Sequence, residues 1–548
     1  MPMDLLDILQ NRGPNSKLVI NIDGIAFGGF VLHHQGAEIC AQPIETDSNV
    51  LIFNGDIFNL HDNDCEISDT QWIFNKFSAA KDEHEFINCI RNIEGPYSFM
   101  FFDKQNGYLY FGRDSLGRNS LLIENNKDHL RILSTSYFEI NVVTIELPPL
   151  GIYKMHKDER NSCIVFPWQQ PDENWKLQSE AFESTIGLTI NIEYPINPSW
   201  LQICTNNQEF YFNFYDLYIE NKSSDADKYN RLLEHCEVLA ALDKFSQLLE
   251  YSVEKRVSKT TPSCAKCYPR YLNCNHSKIA VLFSGGIDCS ILAILADKFA
   301  NRKDAIDLIN VSFEALNSQN ENWNVPDRQS AISSLESLKR LCPHRTWNFI
   351  EVNVTRKSLH TYLSNRIKHL IYPLNTVLDE SIGCAFWFAS QGQGLLFGKN
   401  YESTAKVVLV GSGADELFGG YIRHKNAFNR CIGSQDEKEK CLLNELEKDW
   451  LRIPTRNLAR DDRVISDSGR TPRAPFIEEN VVKFVRSLKP NQRCCFLYED
   501  GIGDKLFLRL FGYRLGLKDV AFLKKRAIQF GSKIANKRDK ANDRSKYL

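Results

Sequence analysis

A glycine-rich stretch in the middle of the chain has the residue types of a phosphate-binding loop. SGGIDCS, residues 284–290, follows the apolar run KIAVLF and precedes the helix-like run ILAILADKFA. Glycines at a helix N-terminus let backbone N–H groups approach phosphate oxygens closely, and the helix dipole favours their negative charge. The phosphate-binding residues predicted here are Ser284, Gly285, Gly286, Asp288, Cys289 and Ser290.

This loop contains no lysine, so the phosphates need another cation. Asp288 is the predicted ligand of that cation, because Mg²⁺ takes carboxylate oxygens together with phosphate oxygens. The alternative is a plain glycine-rich turn, in which Asp288 stabilises the first helical turn by about 0.3 to 1 kcal/mol.

A second stretch repeats this design. VVLVGSGADELFGGY, residues 407–421, combines an apolar run, a turn with Gly411 and Gly413, and the acids Asp415 and Glu416. Taken alone, such a turn is more often a helix start capped by an acid. In a parallel sheet, however, both turns lie at the same edge. Asp288 and Asp415 are therefore predicted to converge on one metal ion that bridges phosphates.

The elements that must position these loops form two patterns along the chain. Short strand-like runs separated by turn residues fill residues 1–165 and predict an antiparallel sheet domain. After residue 277, near-continuous apolar strands alternate with helical stretches, which predicts a parallel sheet covered on both faces. An amphipathic helix is predicted between them from apolar residues at helical spacing: Val238, Leu242, Phe245, Leu249 and Val253.

The domain boundaries follow from these patterns. We expect one domain over residues 1–165, an irregular linker over 166–236 rich in Pro, Asn and charged residues, and a second domain over 237–548. The last eighteen residues hold six basic and two acidic side chains. This tail is expected to fray into solvent.

Composition excludes several classes of function. The 548 residues are 43% hydrophobic and 25% charged, with a net charge of −3, which gives no electrostatic reason to expect nucleic acid or a membrane as a partner. No apolar run is long enough to span a membrane, and the first residues lack the pattern of a signal peptide. We therefore expect a cytoplasmic protein whose sixteen cysteines are reduced.

One cluster of potential metal ligands stands apart from the other cysteines. The stretch CAKCYPRYLNCNH places Cys264, Cys267, Cys274 and His276 together, and these side chains could surround a tetrahedral zinc ion. The spacing between the two halves is shorter than is usual for such sites. Ordinary buried or loop thiols are therefore the alternative interpretation.

The two glycine-rich loops carry a resemblance to a known family. SGGIDCS is similar to the pyrophosphate-binding loop of the ATP pyrophosphatases, and GSGADELFGGY resembles the second signature of asparagine synthetases. Residues 456–480 are similar to a further family segment, although Thr471 and Glu478 replace its usual Glu and Asp. KKRAIQFGS resembles the late lysine segment, with Lys525 at the position of the lysine thought to stabilise the transition state. VPDR at 325–328 and TVLDESIGCAFWFAS at 376–390 resemble the animal asparagine synthetase domain-containing proteins.

The resemblance implies an ATP-dependent amide ligase. Members of this family use Mg²⁺ and ATP to adenylate the β-carboxylate of aspartate, release pyrophosphate, and let ammonia from glutamine attack the acyl-adenylate. It implies catalytic roles for Lys525, Asp288 and Asp415, the two aspartates also being the metal ligands. The implied partners are small molecules: aspartate, ATP, and ammonia or glutamine.

The first 165 residues resemble the glutamine-hydrolysing half of the same enzymes. RGPNS, NGDIFN, SDTQWIF and FGRDSLGRNSL are close to the motifs of this class-II glutaminase, an N-terminal-nucleophile fold built as an αββα sandwich. Asn54 and Gly55 would form the oxyanion hole, and Asp69 would bind the amino group of glutamine, with Asp56 and Gln35 also in this site. From the residues alone, Asn54-Gly55 is equally a hairpin turn, and Asp69 could be a helix N-cap.

Two departures argue against glutamine hydrolysis. The family's nucleophile is a cysteine at position two, whereas this chain begins Met1, Pro2, Met3 and has no cysteine before Cys40. Gln35 stands where the family uses Arg to bind the glutamine carboxylate, and a neutral amide does not replace a guanidinium fork. We expect no glutaminase activity: either a longer form of the chain supplies the cysteine, or the domain has a structural role.

Three functions therefore remain open from the sequence. The first is an ammonia-driven ligase of the asparagine synthetase type. The second is a degenerate family member with a binding or regulatory role, which the missing nucleophile, Gln35 and Thr471 favour. The third is an adenylating ligase that acts on another acid.

Overall fold

The structure is a computed structural model, and it describes most of the chain. The described residues are 3–36, 38–60, 67–126, 129–139, 141–202, 209–219, 223–268, 274–315, 322–535 and 540–548.

The amino-terminal body is built around a seven-stranded sheet. Its strand order is β12-β11-β10-β6-β5-β4-β3, with antiparallel neighbours from β3 to β11 and a parallel β12 at the edge. The hairpin β1-β2 and the three-stranded sheet β8-β7-β9 pack around it. The elements are α1 Met3–Arg12, β1 Ser16–Ile22, β2 Ile25–Val31, β3 Ile44–Glu45, β4 Asn49–Gly55, α2 Asp69–Ser78, α3 Glu83–Arg91, β5 Tyr97–Asp103, β6 Tyr108–Arg113, β7 Leu122–Asn125, β8 Leu130–Leu133, β9 Val143–Glu146, β10 Gly151–His156, β11 Ser162–Pro167, α4 Glu173–Ile186 and β12 Thr189–Ile192.

Apolar side chains cover the two faces of this sheet with different partners. On one face, Phe77 of α2 and Phe86 of α3 pack on Phe101 of β5. On the other, Phe182 of α4 packs on Tyr153 of β10. The antiparallel sheet predicted from the alternating strand runs is confirmed.

The carboxyl-terminal body contains the parallel sheet. Its strand order is β17-β16-β15-β14-β13-β18-β19, in which β15, β14, β13, β18 and β19 run parallel and β16 and β17 are antiparallel. The elements are α5 Asp225–Leu233, α6 Cys236–Ser258, β13 Ile279–Leu282, α7 Ile287–Phe299, β14 Ile306–Phe313, α8 Pro326–Leu341, β15 Trp347–Val354, α9 Arg356–Tyr362, α10 Lys368–Ile371, α11 Val377–Ser390, β16 Gln393–Leu396, β17 Lys399–Glu402, β18 Val407–Leu409, α12 Ala414–Phe418, α13 Ile422–Arg430, α14 Gln435–Ile453, α15 Ala459–Ser466, β19 Thr471–Arg473, α16 Glu479–Ser487, α17 Pro490–Arg493, α18 Leu506–Arg514 and α19 Ile528–Gly531.

This sheet is covered on both faces, as predicted. One apolar cluster joins α6, α7 and α18 to β13 and β18, and a second joins α11 and α15 to β14 and β15. The predicted amphipathic helix is α6, and all five of its periodic apolar residues are buried. Among the described residues, no helix is long and apolar enough to cross a membrane.

Two segments differ from the sequence interpretation. Residues 173–192 belong to the amino-terminal body: Asp172 caps α4, Gly187 ends it, and β12 then joins the sheet by pairing with β11. The prediction that the tail frays is wrong for residues 540–548. Backbone carbonyls of Ala541 and Asp543 accept hydrogen bonds from N–H groups at the start of α11, which otherwise have no helical partner.

Buried ion pairs join the two bodies. Arg473 of β19 donates two hydrogen bonds to Asp56, at 2.8 and 2.7 Å, and both side chains are fully buried. Arg118 lies 2.5 Å from Glu479 of α16, and Arg463 of α15 pairs with Glu146 of β9. Leaving one such partner buried alone costs about 3 to 5 kcal/mol. The relative position of the two bodies is therefore strongly fixed.

Candidate active site

The first glycine-rich loop leaves the carboxyl end of β13 and enters α7. Gly285 has φ +79°, and a Cβ there would lie 2.3 Å from the backbone nitrogen of Ala331 in α8. Only glycine fits this approach. At Gly286, the N-cap of α7, a Cβ would meet nothing closer than the Ser284 hydroxyl at 3.5 Å. The loop is thus packed against α8 at Gly285, whereas the space beside Gly286 is open.

The side chains that follow the loop divide into two groups. Asp288 is 24% exposed at its side chain, and its buried Oδ1 has no hydrogen-bond partner among the described residues. Cys289 is buried in the apolar cluster, and its thiol donates to the Gly286 carbonyl at 3.2 Å. Ser290 is also fully buried. The structure therefore separates Asp288 from the two residues that come after it.

The second loop lies beside the first. It follows β18, which is the parallel neighbour of β13, and Gly413 caps α12 with φ +92°. A Cβ on Gly411 would be 3.1 Å from the Cβ of Asp288. Asp415 lies in the first turn of α12. The geometry brings the two predicted loops together at one sheet edge.

A lysine that the sequence interpretation missed joins the two aspartates. Lys505 Nζ lies 2.6 Å from Asp288 Oδ2 and 2.6 Å from Asp415 Oδ1. The side chain is almost fully buried, and burial alone would lower its pKa. The charges of Asp288 and Asp415 outweigh burial and raise the pKa of Lys505 above its ordinary value. Lys505 is therefore a permanent cation between the carboxylates.

The position of Lys505 in the sequence, next to an apolar helix, could have indicated a buried cation. It directly precedes α18, whose first eight residues are all buried. A lysine at the end of a buried helix must find an anion nearby. Its partner Asp288 lies 217 residues earlier, so the sequence did not identify which anion.

Lys525 occupies the more open side of the same cluster. Its ammonium pairs with Asp415 Oδ2 and lies 4.6 Å from the ring centre of Tyr421. Burial opposes the charged form of Asp415, but Lys505 and Lys525 together hold its pKa well below the usual range. Lys525 is 22% exposed at its side chain, against 1% for Lys505. Lys525 therefore has freedom to leave Asp415 for a ligand.

Glu416 has a different environment from Asp415. Its Oε1 accepts hydrogen bonds from the Tyr421 hydroxyl and the Asn457 amide, both at 2.7 Å. It holds the segment 456–480 against the second loop. In the same segment, Asp461 accepts a 3.4 Å hydrogen bond from Ser412, and burial raises the pKa of Asp461 to about 6.

The two residues of the predicted oxyanion hole lie in a strand. Asn54 and Gly55 are the last residues of β4 and pair with Ser98 and Tyr97 of β5. The alternative of a hairpin turn at Asn-Gly is therefore wrong, because the chain continues beyond Gly55 without reversing. The Asn54 carbonyl accepts a hydrogen bond from Asn119 at 2.9 Å.

Other predicted glutamine-site residues are engaged with one another. Gln35 Nε2 donates to Asp56 Oδ1 at 2.6 Å, and His34 Nε2 lies 2.8 Å from the same oxygen. Burial opposes ionisation of Asp56, but Arg473 and His34 hold its pKa far below the usual range. Arg473 of the carboxyl-terminal body supplies the guanidinium that contacts Asp56. It donates two hydrogen bonds to Asp56 and one to the Arg256 carbonyl, at 2.6 Å.

Asp69 lies in a cavity of about 590 Å³. Ser68 caps α2, so the alternative that Asp69 is the N-cap is wrong. The Asp69 Oδ2 atom has no hydrogen-bond partner among the described residues, and burial raises the pKa of Asp69 to about 6. The cavity is lined by both bodies, including Asp462 and Thr471 from the carboxyl-terminal one.

Comparison with known proteins identifies the family of this chain. The profile of the asparagine synthase family matches residues 275–509, and that of a glutamine amidotransferase domain matches residues 32–139. An asparagine synthetase domain-containing protein of Drosophila melanogaster is 46% identical over 99% of this chain and 96% of its own length. The chain belongs to the asparagine synthetase family. The family and the fold predicted from the motifs are confirmed.

A second relative and one solved structure are also similar to this chain. Asparagine synthetase domain-containing protein 1 of Homo sapiens is 34% identical over 99% of this chain and 93% of its own. A solved structure, a glutamine phosphoribosylpyrophosphate amidotransferase from B. subtilis, is 12% identical with a TM-score of 0.26 over 63% of this chain and 87% of its own. That structural likeness is too low to carry an argument.

Proposed function

We propose that this protein is an ATP-dependent amide ligase of the asparagine synthetase type, driven by ammonia in this form. The observation that carries the proposal is the cluster at the carboxyl edge of the parallel sheet. There, two glycine-rich loops present Asp288 and Asp415 to one shared cation, Lys505, and Lys525 pairs with Asp415 on the more open side. Open sheets of this kind bind ligands in the crevice at this edge.

The chemistry would consist of two displacements. A β-carboxylate oxygen of aspartate attacks the α-phosphorus of ATP, and the bond from that phosphorus to the bridging oxygen breaks to release pyrophosphate. Ammonia then attacks the acyl carbon, and AMP leaves. The loop at 284–286 would hold the departing pyrophosphate through backbone N–H groups and the Ser284 hydroxyl.

Lys525 is the group best placed to stabilise the charge that develops. It is only partly buried, and among the described residues its ammonium pairs with Asp415 and lies over the Tyr421 ring, so it can turn to phosphate oxygens. Lys505 instead keeps the two aspartates in place. A preorganised donor of this kind typically lowers the barrier by about 3 to 4 kcal/mol.

The residues present fit a magnesium ion. Asp288 has an unused oxygen among the described residues, and Asp415 is held in its ionised form. Carboxylate oxygens together with phosphates are the usual ligands of Mg²⁺. The ion would neutralise phosphate charge, and Asp288 and Asp415 would hold it.

The nitrogen donor we propose is ammonia. Gln35 donates to Asp56, and Asp56 is saturated by Arg473 and His34. These contacts leave Asp69 as the glutamine-site carboxylate with an unused oxygen in the described cavity. They support an amino-terminal body without glutaminase activity.

ATP–pyrophosphate exchange tests the proposal. We expect exchange that depends on aspartate, and a loss of at least about a hundredfold in Asp288→Ala, Asp415→Ala or Lys525→Ala. Lys104→Ala is the control, because Lys104 pairs with Glu45 in the amino-terminal body. Its exchange should be normal.

Each outcome selects one function. Exchange that requires another acid would identify a different adenylating ligase. No exchange with any acid, in protein that shows a cooperative unfolding transition and is therefore folded, would point to a binding or regulatory role. Near-normal exchange in the three variants would overturn the site.

A further inference from the structure

The loop between α6 and β13 brings four potential metal ligands together. The Sγ atoms of Cys264, Cys267 and Cys274 and a ring nitrogen of His276 all lie within 4.8 Å of one another. We propose that these residues bind one zinc ion, which fixes this loop at the junction of the two bodies. The site lies outside the proposed ligase cluster and does not depend on it.

The two sulfur–nitrogen distances at His276 are close to those around a tetrahedral ion. With Zn–S of about 2.3 Å and Zn–N of about 2.0 to 2.1 Å, tetrahedral geometry places S and N about 3.6 Å apart. His276 Nδ1 lies 3.7 Å from Cys264 Sγ and 3.3 Å from Cys267 Sγ. These values lie on either side of the ideal one.

The ligand types favour zinc over other metals. Three thiolates and one imidazole form a soft, closed tetrahedral set that suits zinc or iron–sulfur chemistry. A two-iron cluster divides its ligands between two irons and needs a wider cage than four atoms within 4.8 Å provide. With four protein ligands no position is left open, which is the pattern of a structural site.

One backbone contact stabilises negative charge on the Cys274 thiolate, and a lysine orients its backbone. The backbone N–H of Cys264 donates to Cys274 Sγ at 3.4 Å. Lys278 Nζ donates to the Cys274 carbonyl at 2.8 Å and pairs with Asp304, so it fixes the turn that carries Cys274. Such outer contacts orient metal ligands in known sites.

The zinc ion would hold a loop that contacts both bodies of the protein. The N–H of Ala265 donates to the Thr404 carbonyl, which attaches the loop to the segment before β18. The Tyr268 ring lies 4.9 Å from the His33 ring of the amino-terminal body. Lys406 lies over the Tyr268 ring and donates to the His33 carbonyl at 3.1 Å. The loop thus borders the wall of the cavity.

Metal analysis of the full chain, purified without chelators, tests the inference. We expect one zinc ion per chain by inductively coupled plasma mass spectrometry. Cys267→Ser and Cys274→Ser should lose it, whereas Cys342→Ser, a half-buried cysteine outside the cluster, should keep it. Zinc below a tenth of the chain concentration, iron with acid-labile sulfide, or zinc retained in both variants would overturn the proposal.

A spectroscopic readout covers the case in which a serine variant fails to fold. Cobalt-substituted protein should show the visible bands of a tetrahedral three-sulfur, one-nitrogen site. His276→Cys should keep the metal and shift those bands towards a four-sulfur site. An unchanged spectrum in His276→Cys, or an octahedral one in the native chain, would contradict the assigned ligands.

Discussion

Replacing each of the two lysines in the cluster should separate folding from catalysis. Lys505 and Lys525 both contact Asp415, but Lys505 is 1% exposed and contacts Asp288 as well. Lys505→Met would leave two carboxylates facing each other without their shared cation. Because breaking a buried pair costs about 3 to 5 kcal/mol, we expect a loss of that size in the free energy of unfolding.

Lys525→Met should behave differently. Its ammonium is partly solvated, so its removal should cost no more than about 1 kcal/mol of stability. It should nevertheless abolish aspartate-dependent exchange. Urea unfolding followed by tryptophan fluorescence at pH 7 gives the two stability losses, and the exchange assay gives the activities.

The pH dependence provides an internal control for this reasoning. In the native chain the pKa of Asp415 lies below its unfolded value, so its stabilisation is complete above about pH 4. Without Lys505, the two facing carboxylates should repel each other, and binding of a proton as pH falls should relieve this repulsion. The defect of Lys505→Met should therefore shrink from pH 7 to pH 5. Equal stability losses in the two variants, or a native-like Lys505→Met, would refute the assignment of Lys505 as the positioning cation.

Two further substitutions test single residues of the loops and the cavity. The raised pKa of Asp69, about 6, means that its charge costs stability progressively between about pH 4 and 6, reaching about 3 kcal/mol. Asp69→Asn should thus be more stable than the native chain at pH 7 but not at pH 4, and parallel pH–stability curves would contradict this. Cys289→Ser should leave the KM for ATP unchanged, because the thiol bonds to the Gly286 carbonyl and is buried; a lower KM would mean that this side chain reaches the phosphates.

The strands and the strand-to-helix turns of the candidate site could be predicted from local sequence patterns. The strands before both loops are apolar runs, and the glycines and acids after them identify strand-to-helix turns. Parallel pairing of β13 and β18 then places Asp288 beside Gly411, as expected from the topology alone. The periodicity of apolar residues also predicted the two sheets and the helix α6 that lies between them in the sequence.

Contacts between distant parts of the chain were not predictable in this way. Arg473 and Asp56 are 417 residues apart, and nothing in either neighbourhood marks them as partners. Residues 173–192 are flanked by Pro and Asn, and their sequence therefore resembled a linker. The edge strand in this segment is defined by its pairing with β11, which is a contact that the local sequence does not indicate. The basic tail looked solvated because its attachment uses backbone groups at 541 and 543, which composition does not reveal.

Because Asp56 pairs with Arg473, an acid retained at position 56 would be evidence of a folding requirement and not of glutamine chemistry. Asp56 belongs to a motif associated with glutamine, yet its carboxylate neutralises a fully buried guanidinium of the other body. Selection for folding alone would retain an acid there after any loss of glutamine chemistry. The amino-terminal body would likewise persist in descendants that draw only on free ammonia, since deleting it would strand Arg473 without a counter-ion. An enzyme could in this way lose one of two reactions and still inherit the whole architecture.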